Sequence, residues 1–261
     1  LVAIDGKSVA TSKSFDGESG EVKEGFIVLD QVMAEEISQE IKDKSAEVIS
    51  IQESEKFEKP SWPFTTSTLQ QDATRKMGRS AKDIMSIAQK LYENGFITYM
   101  RTDSTNLSTL AINTAKEFIC NNFGAEYSRP KQYKTKTKGA QEAHEAIRPT
   151  YIQNTTIEGT PQEKKLYELI WKRTVASQMA DARVLRTDIK IGFSNGDEKF
   201  IAQASQVLFD GFLKLYMESS DEPQQDDELV ILPEMSIGQQ MFEKGINADC
   251  KFTAAPSRYT E

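Results

Sequence analysis

Tyr99, Arg101 and Asp103 stand at every second position of the run Phe96-Ile-Thr-Tyr-Met-Arg-Thr-Asp-Ser-Thr105. On an extended segment that period sets all three on one face, because the side chains of a strand alternate. The residue types suit attack on a phosphodiester. A phenolic oxygen is a nucleophile once its surroundings assist it, since a free phenol ionises only near ~10. A guanidinium donates in a planar fork and stays charged, which suits the non-bridging oxygens of a phosphate. Asp103 is placed to fix that guanidinium. A second run, Gln141-Glu-Ala-His-Glu-Ala-Ile-Arg-Pro-Thr150, holds the only histidine, His144. Histidine titrates near neutrality and can hydrogen-bond a phosphate as imidazolium. Arg148, four residues on, is a supporting cation, and Pro149 ends any helix that begins near Gln141.

Other chemistries lack their residues. No His/Cys cluster with metal-ligand spacing exists, and the acidic pairs Glu35-Glu36 and Asp226-Asp227 read as solvated. Metal ligands are therefore expected to be none. Gly78 and Gly95 read as helix terminators rather than parts of a phosphate-cradling loop. The two cysteines, Cys120 and Cys250, fit a reducing cytoplasm. Four cations, Arg75, Lys76, Arg79 and Lys82, cluster where two helices meet at a short glycine-containing turn. That arrangement is similar to a helix-turn-helix or winged-helix unit, and the four are candidate DNA-backbone contacts.

The elements that must position these residues fall into three blocks. Residues 1–10, 25–29 and 46–55 read as strands, with a helix over 30–44 capped by Asp30 and burying Val32, Met33, Ile37 and Ile41. Lys59-Pro-Ser-Trp-Pro-Phe64 breaks the texture. A helical stretch follows: 66–77 stopped by Gly78, a helix capped by Ser80 and closed by Asn94-Gly95, and one from Ser108 to Phe123-Gly124. The last opens on the capping box Thr160-Pro-Gln-Glu163 and is expected to run to about Ala182. Phe96–Met100 is expected to be a short strand or extended segment, and Arg129–Lys138 a basic loop. Strand texture returns at Val184, with Asn195-Gly196 the strongest hairpin signal. A further strand pair is expected around 211–217 and 229–241, separated by an acidic loop over Ser219–Glu228.

The order strands, helices, strands predicts an α+β multidomain protein. A β-rich domain of residues 1–58 and 183–255 is interrupted by a helical domain, 59–182, that carries the tyrosine. Net charge is −8 over 261 residues, from 32 basic and 40 acidic side chains, which argues against a nucleic-acid partner when taken whole. The distribution argues the other way. Residues 1–57 hold 6 basic and 13 acidic side chains, whereas 58–150 hold 14 basic and 9 acidic. The candidate chemistry lies in the one basic third, as on a phosphate-facing module set in an acidic scaffold. No apolar run reaches the ~18–20 residues of a membrane span. The N-terminus shows no secretory leader and no initiator Met, and the chain reads as cut from something longer.

Three runs together carry a resemblance: Pro63-Phe-Thr-Thr-Ser-Thr-Leu-Gln-Gln71, Gly95-Phe-Ile-Thr-Tyr-Met-Arg-Thr-Asp-Ser-Thr105 and Glu142-Ala-His-Glu-Ala-Ile-Arg-Pro-Thr150. In order and spacing they resemble the signature runs of type IA DNA topoisomerases, over essentially the whole chain. Met100 is closer to the bacterial topoisomerase I branch than to topoisomerase III, where proline usually stands. Residues 256–261 are similar to the start of the family's next domain. The resemblance implies that Tyr99 attacks a DNA phosphate and holds a covalent 5′-phosphotyrosine. Arg101 then binds the scissile phosphate, His144 assists, and Asp103 supports the site. It implies a β-rich arch that gates strand passage around an inserted winged-helix-like domain. It also implies a monomer in the cytoplasm, associated with the nucleoid, acting without ATP on single-stranded and negatively supercoiled duplex DNA, with no membrane partner. The family's Mg²⁺ lies on a TOPRIM domain that these residues do not match, so residues 1–261 alone are expected neither to cleave nor to relax DNA. Two rivals stay open: a tyrosine recombinase or type IB enzyme, which leaves a 3′-phosphotyrosine, and a non-catalytic winged-helix DNA-binding module.

Overall fold

Capping residues and glycine stops set the helices of this computed structural model, which describes residues 3–4, 6–11, 14–16, 19–42, 44–133, 144–193, 199–216, 235–242 and 245. Helix α1 is Gln31–Ile41, and the Asp30 carboxylate accepts from the Met33 N–H at 2.8 Å. Helix α2 is Thr66–Met77, opened by a capping box between Thr65 and Thr68 and stopped at Gly78, whose φ of 63° is left-handed. Ser80 caps α3, Ala81–Glu93, and Ser108 caps α4, Thr109–Asn122. Helix α5, Pro161–Ser177, opens on the Thr160/Glu163 capping box with proline in its first turn. Among the described residues no helix is long and apolar enough to cross a membrane.

Among the described residues seven strands form one sheet: β1 Ala3–Ile4, β2 Lys7–Val9, β3 Phe26–Ile27, β4 Ala46–Glu58, β5 Ala182–Phe193, β6 Lys199–Phe209 and β7 Gln240–Met241. Their order is β3-β2-β1-β6-β5-β4-β7. β1 runs antiparallel to β2 and β6, β4 antiparallel to β7, and β2 parallel to β3. The protein is thus a mixed α/β molecule.

The chain divides into two units, crossing between them inside β4, β5 and β6. One comprises Leu1–Ser54, Leu185–Gln206 and Asp227–Glu261. Its small core is Ile4, Ile37 and Ile41, with Ile27, Leu29, Phe193 and Phe200 packed against it. The other comprises Glu55–Val184 and Val207–Asp226. Its larger core gathers Phe64, Leu69, Ile84, Leu91, Ile119, Leu166 and Ile170, all at most 1% exposed. Each such side chain contributes about 1.5–3 kcal/mol by leaving water.

Four expectations need correction. Val32 is 63% exposed, and α1 turns Ile37 and Ile41 inward instead. Helix α5 ends at Ser177, short of Ala182, because the backbone turns there and β5 begins at Ala182. The strand expected from 211 is a short 3-10 helix, Gly211–Lys214. A Cβ at Gly211 would sit 2.6 Å from the Ala180 carbonyl oxygen, so this segment is pressed against the backbone after α5. It packs in the helical unit, where Phe212 and Tyr216 are buried, and not with the β-rich residues to which the sequence reading assigned it. Finally, of the two readings of Phe96–Met100 the strand is not formed: the segment makes only a single bridge, from Ile97 to Pro149. The Asn195-Gly196 turn, the loop over Ser219–Glu228, Lys134–Lys138, Gln141–Ala143, residues 229–234, Cys250 and 256–261 lie outside the described residues.

Candidate active site

Thr98 anchors the segment that carries Tyr99. Its N–H donates to the Arg148 carbonyl at 2.9 Å, its hydroxyl donates to the Ala146 carbonyl at 2.7 Å, and the Arg148 N–H donates to that hydroxyl at 3.0 Å. The run containing His144 is thereby stitched to the run containing Tyr99. Phe64 joins from the third side, its carbonyl accepting from the Ile147 N–H at 2.9 Å. Downstream, the Thr66 hydroxyl donates to the Met100 carbonyl at 2.9 Å, and the Thr66 N–H donates to the Thr102 carbonyl at 2.8 Å. The three runs singled out in sequence therefore meet through threonine–backbone bonds at the start of α2.

Met100, Thr102 and Ser104 point inward and are buried, while Arg101 and Asp103 face out. Arg101, Asp103 and His144 line one open cavity of about 470 Å³, together with Thr66, Ser67, Thr102 and Gln70. Arg101 and Asp103 share a face, as the period of two requires, yet no ion pair joins them. Tyr99 departs from that face. It is half-buried and is not among the cavity's lining residues, because the chain bends at positions 98, 100 and 101 and breaks the strand alternation. Its ring lies 5.4 Å from the His144 ring and 5.2 Å from Tyr92.

Arg148 does not reach the cavity. Its Nε donates to Glu145 Oε2 at 2.9 Å and its Nη1 to the Pro149 carbonyl at 2.9 Å. The other Glu145 oxygen accepts from the Ser108 N–H at 2.6 Å, tying this run to the start of α4. Burial works against the Glu145 carboxylate, but the Ser108 hydrogen bonds and the Arg148 guanidinium outweigh it and hold the carboxyl below its usual range. A depressed folded-state pKa gives stability that is complete above the ordinary carboxylate range and is lost as pH falls through the folded value. Glu145→Gln is therefore expected to flatten the acid limb of the unfolding curve below about pH 4.5, the usual glutamate value. Thermal melts across that range test it: unchanged acid sensitivity in the variant contradicts this role.

The four cations at the α2–α3 junction are not brought to the cavity. Arg75, Arg79 and Lys82 are exposed. Lys76 turns inward, 3.4 Å from Asp72 and 4.2 Å above the Tyr216 ring. The sequence reading gave no role to Thr66, Ser67 and Gln70, although all three lie in the Pro63–Gln71 run, nor to Glu145 and Thr98. Among the described residues no group of three or more His, Cys, Asp or Glu side chains is gathered to hold a metal ion.

A family model described as DNA topoisomerase matches residues 4–261. DNA topoisomerase 1 of Synechocystis sp. is 43% identical over 270 residues, covering 100% of this chain and 30% of that protein. DNA topoisomerase 1 of Mycolicibacterium smegmatis is 44% identical over 280 residues, covering 100% of this chain and 29% of that protein. The chain thus spans less than a third of the length of these relatives. The solved structure of full-length topoisomerase I from Thermotoga maritima superposes with a TM-score of 0.64 at 34% identity, covering 84% of this chain and 36% of that one. With three signature runs converging on one cavity and the match running through all of them, the chain belongs to the bacterial DNA topoisomerase I family.

Proposed function

We propose that this chain supplies the strand-cleaving tyrosine of a type IA topoisomerase that relaxes negatively supercoiled DNA. Tyr99 Oη attacks a backbone phosphorus of single-stranded DNA, a 5′-phosphotyrosine forms, and the 3′-oxygen leaves as a hydroxyl. A second strand then passes through the break, and the 3′-hydroxyl attacks the phosphotyrosine to restore the backbone. One phosphate ester replaces another at each step, so no ATP is needed. The single observation that carries this reading is the Tyr99 ring packed on His144, which with Arg101 lines an exposed polar cavity. A guanidinium and an imidazole N–H donor are suited to a phosphate's negative oxygens. Asp103 lines the same cavity, and Arg148, paired with Glu145, supports the Tyr99 segment through its backbone bond to Thr98. Exposed Arg75, Arg79 and Lys82, on a winged-helix-like pair α2–α3, are suited to flanking DNA phosphates, with Lys76 held mainly by Asp72.

The described residues gather no group of three or more His, Cys, Asp or Glu side chains that could hold a metal ion. The Mg²⁺ that the family implies would be held outside these residues, on the TOPRIM domain of the intact enzyme. This reading takes the intact enzyme to be a cytoplasmic, nucleoid-associated monomer whose β-rich unit forms part of the gate. Residues 1–261 alone should then leave supercoiled plasmid unrelaxed in Mg²⁺, while the full-length enzyme relaxes it. The deciding experiment traps full-length enzyme on single-stranded DNA by rapid denaturation and maps the labelled peptide. Label on Tyr99 through a 5′-phosphate is expected. A 3′-linkage, label elsewhere, or efficient relaxation by residues 1–261 overturns the proposal.

A further inference from the structure

Tyr92 stands on the last turn of α3 and is 42% exposed, although its helix buries Ile84, Ala88 and Leu91. Its ring meets the Tyr99 ring edge-on, with centroids 5.2 Å apart and planes at 68°. This is the favourable arrangement for two aromatic quadrupoles. The backbone at this point is clamped. The Gly95 N–H donates to the Tyr92 carbonyl at 2.8 Å, and the Phe96 N–H to the Leu91 carbonyl at 2.9 Å. Gly95 makes that turn with φ of 73°, a left-handed conformation suited to glycine. The turn ending α3 therefore also launches the segment that carries Tyr99. Among the described residues, nothing hydrogen-bonds the Tyr99 hydroxyl. Its ring is held instead by packing: partly against the larger core, and against the rings of Tyr92 and His144.

We infer that Tyr92 is a positioning residue for the Tyr99 nucleophile. Its ring edge restricts rotation of the Tyr99 phenol, so that fewer orientations compete with the one that in-line attack needs. A nucleophile free to rotate spends less time in that orientation, and the loss falls on the chemical step rather than on DNA affinity. The inference rests on the Tyr99 reading above. It makes no use of the Tyr92 hydroxyl, so phenylalanine should serve in its place.

The test uses full-length enzyme and single-turnover formation of the covalent adduct on single-stranded DNA. Tyr92→Leu is expected to slow cleavage about two- to thirteenfold, the range an edge-to-face pair is worth, with DNA Kd unchanged and the melting temperature lowered by no more than about 6 °C, so that the protein stays folded in the assay. Tyr92→Phe is expected to restore the rate. Wild-type cleavage in Tyr92→Leu overturns the inference. So does a loss in Tyr92→Phe equal to that in Tyr92→Leu, because the hydroxyl would then be the acting group. So does a rate loss explained by weakened DNA binding or by unfolding at the assay temperature. Tyr99→Phe, run in parallel, separates the two levels: an adduct that survives it rejects the nucleophile assignment itself, whereas its loss beside a normal Tyr92→Leu rejects only the positioning role.

Discussion

Full-length enzyme carrying Tyr99→Phe is expected to form no covalent adduct and to relax no plasmid. The substitution removes one oxygen and keeps the ring. The contacts to Tyr92 at 5.2 Å and His144 at 5.4 Å can therefore persist, and the fold should be unaffected. Only the proposed nucleophilic oxygen is lost. Where other covalent enzymes lose theirs, rates fall on the order of 10⁶-fold, below what a relaxation assay detects. Binding should survive, since Arg101 and His144 still line the cavity. The informative pattern is therefore an intact gel shift on single-stranded DNA with no band resistant to denaturant. A normal adduct yield from Tyr99→Phe would mean that another side chain attacks. Activity retained without any adduct would favour a DNA-binding module working beside a separate catalytic chain.

The second large effect is on stability. Asp72 and Arg173 are 5% and 4% exposed at their side chains and lie 3.7 Å apart. The Tyr216 hydroxyl donates to Asp72 Oδ2, and Lys76 stands 3.4 Å from the same oxygen. The Arg173 guanidinium also lies 4.3 Å above the Phe64 ring and 4.9 Å above Tyr216. This buried cluster joins α2, α5 and the segment after the short 3-10 helix to the residue that begins the site's scaffold. Asp72→Ala leaves the Arg173 charge buried without that carboxylate, which costs about 3–5 kcal/mol. For a unit of this size that lowers the melting temperature by roughly 6–20 °C. Both tryptophans, Trp62 and Trp171, lie in the helical unit, so their fluorescence follows its unfolding. A shift under 2 °C would show that the cluster is not the tie it looks to be.

The helices show why part of this molecule is legible from sequence. Ser80, Ser108 and the Thr160/Glu163 box satisfy helix N–H groups locally, and Gly78 and Gly95 take left-handed φ locally, so residue type alone marks those boundaries. The C-terminus of α5 carries no such mark. It is ended by where β5 must begin, and the sequence reading overran it. Residues 211–214 look strand-like by pattern but sit against the backbone after α5, a contact between segments that no local pattern encodes. Arg101 and Asp103 do share a face, whereas Tyr99, placed with them by the period of two, is turned aside by bends that depend on Thr66, Thr98 and their distant carbonyl partners.

By itself the sequence determined the chemical inventory: one histidine, the Tyr-x-Arg-x-Asp run, the family signature and the helices that frame them. These follow from residue identity and from interactions within a few positions, which a linear string records. Tertiary structure decided which of those groups meet. It set His144 against Tyr99 across a gap of 45 positions, turned Lys76 inward to Asp72, sent Arg148 to Glu145 rather than to the cavity, and placed Tyr92 edge-on to the candidate nucleophile. Each outcome depends on how separate segments pack, where burial and hydrogen-bond satisfaction are settled by partners far along the chain.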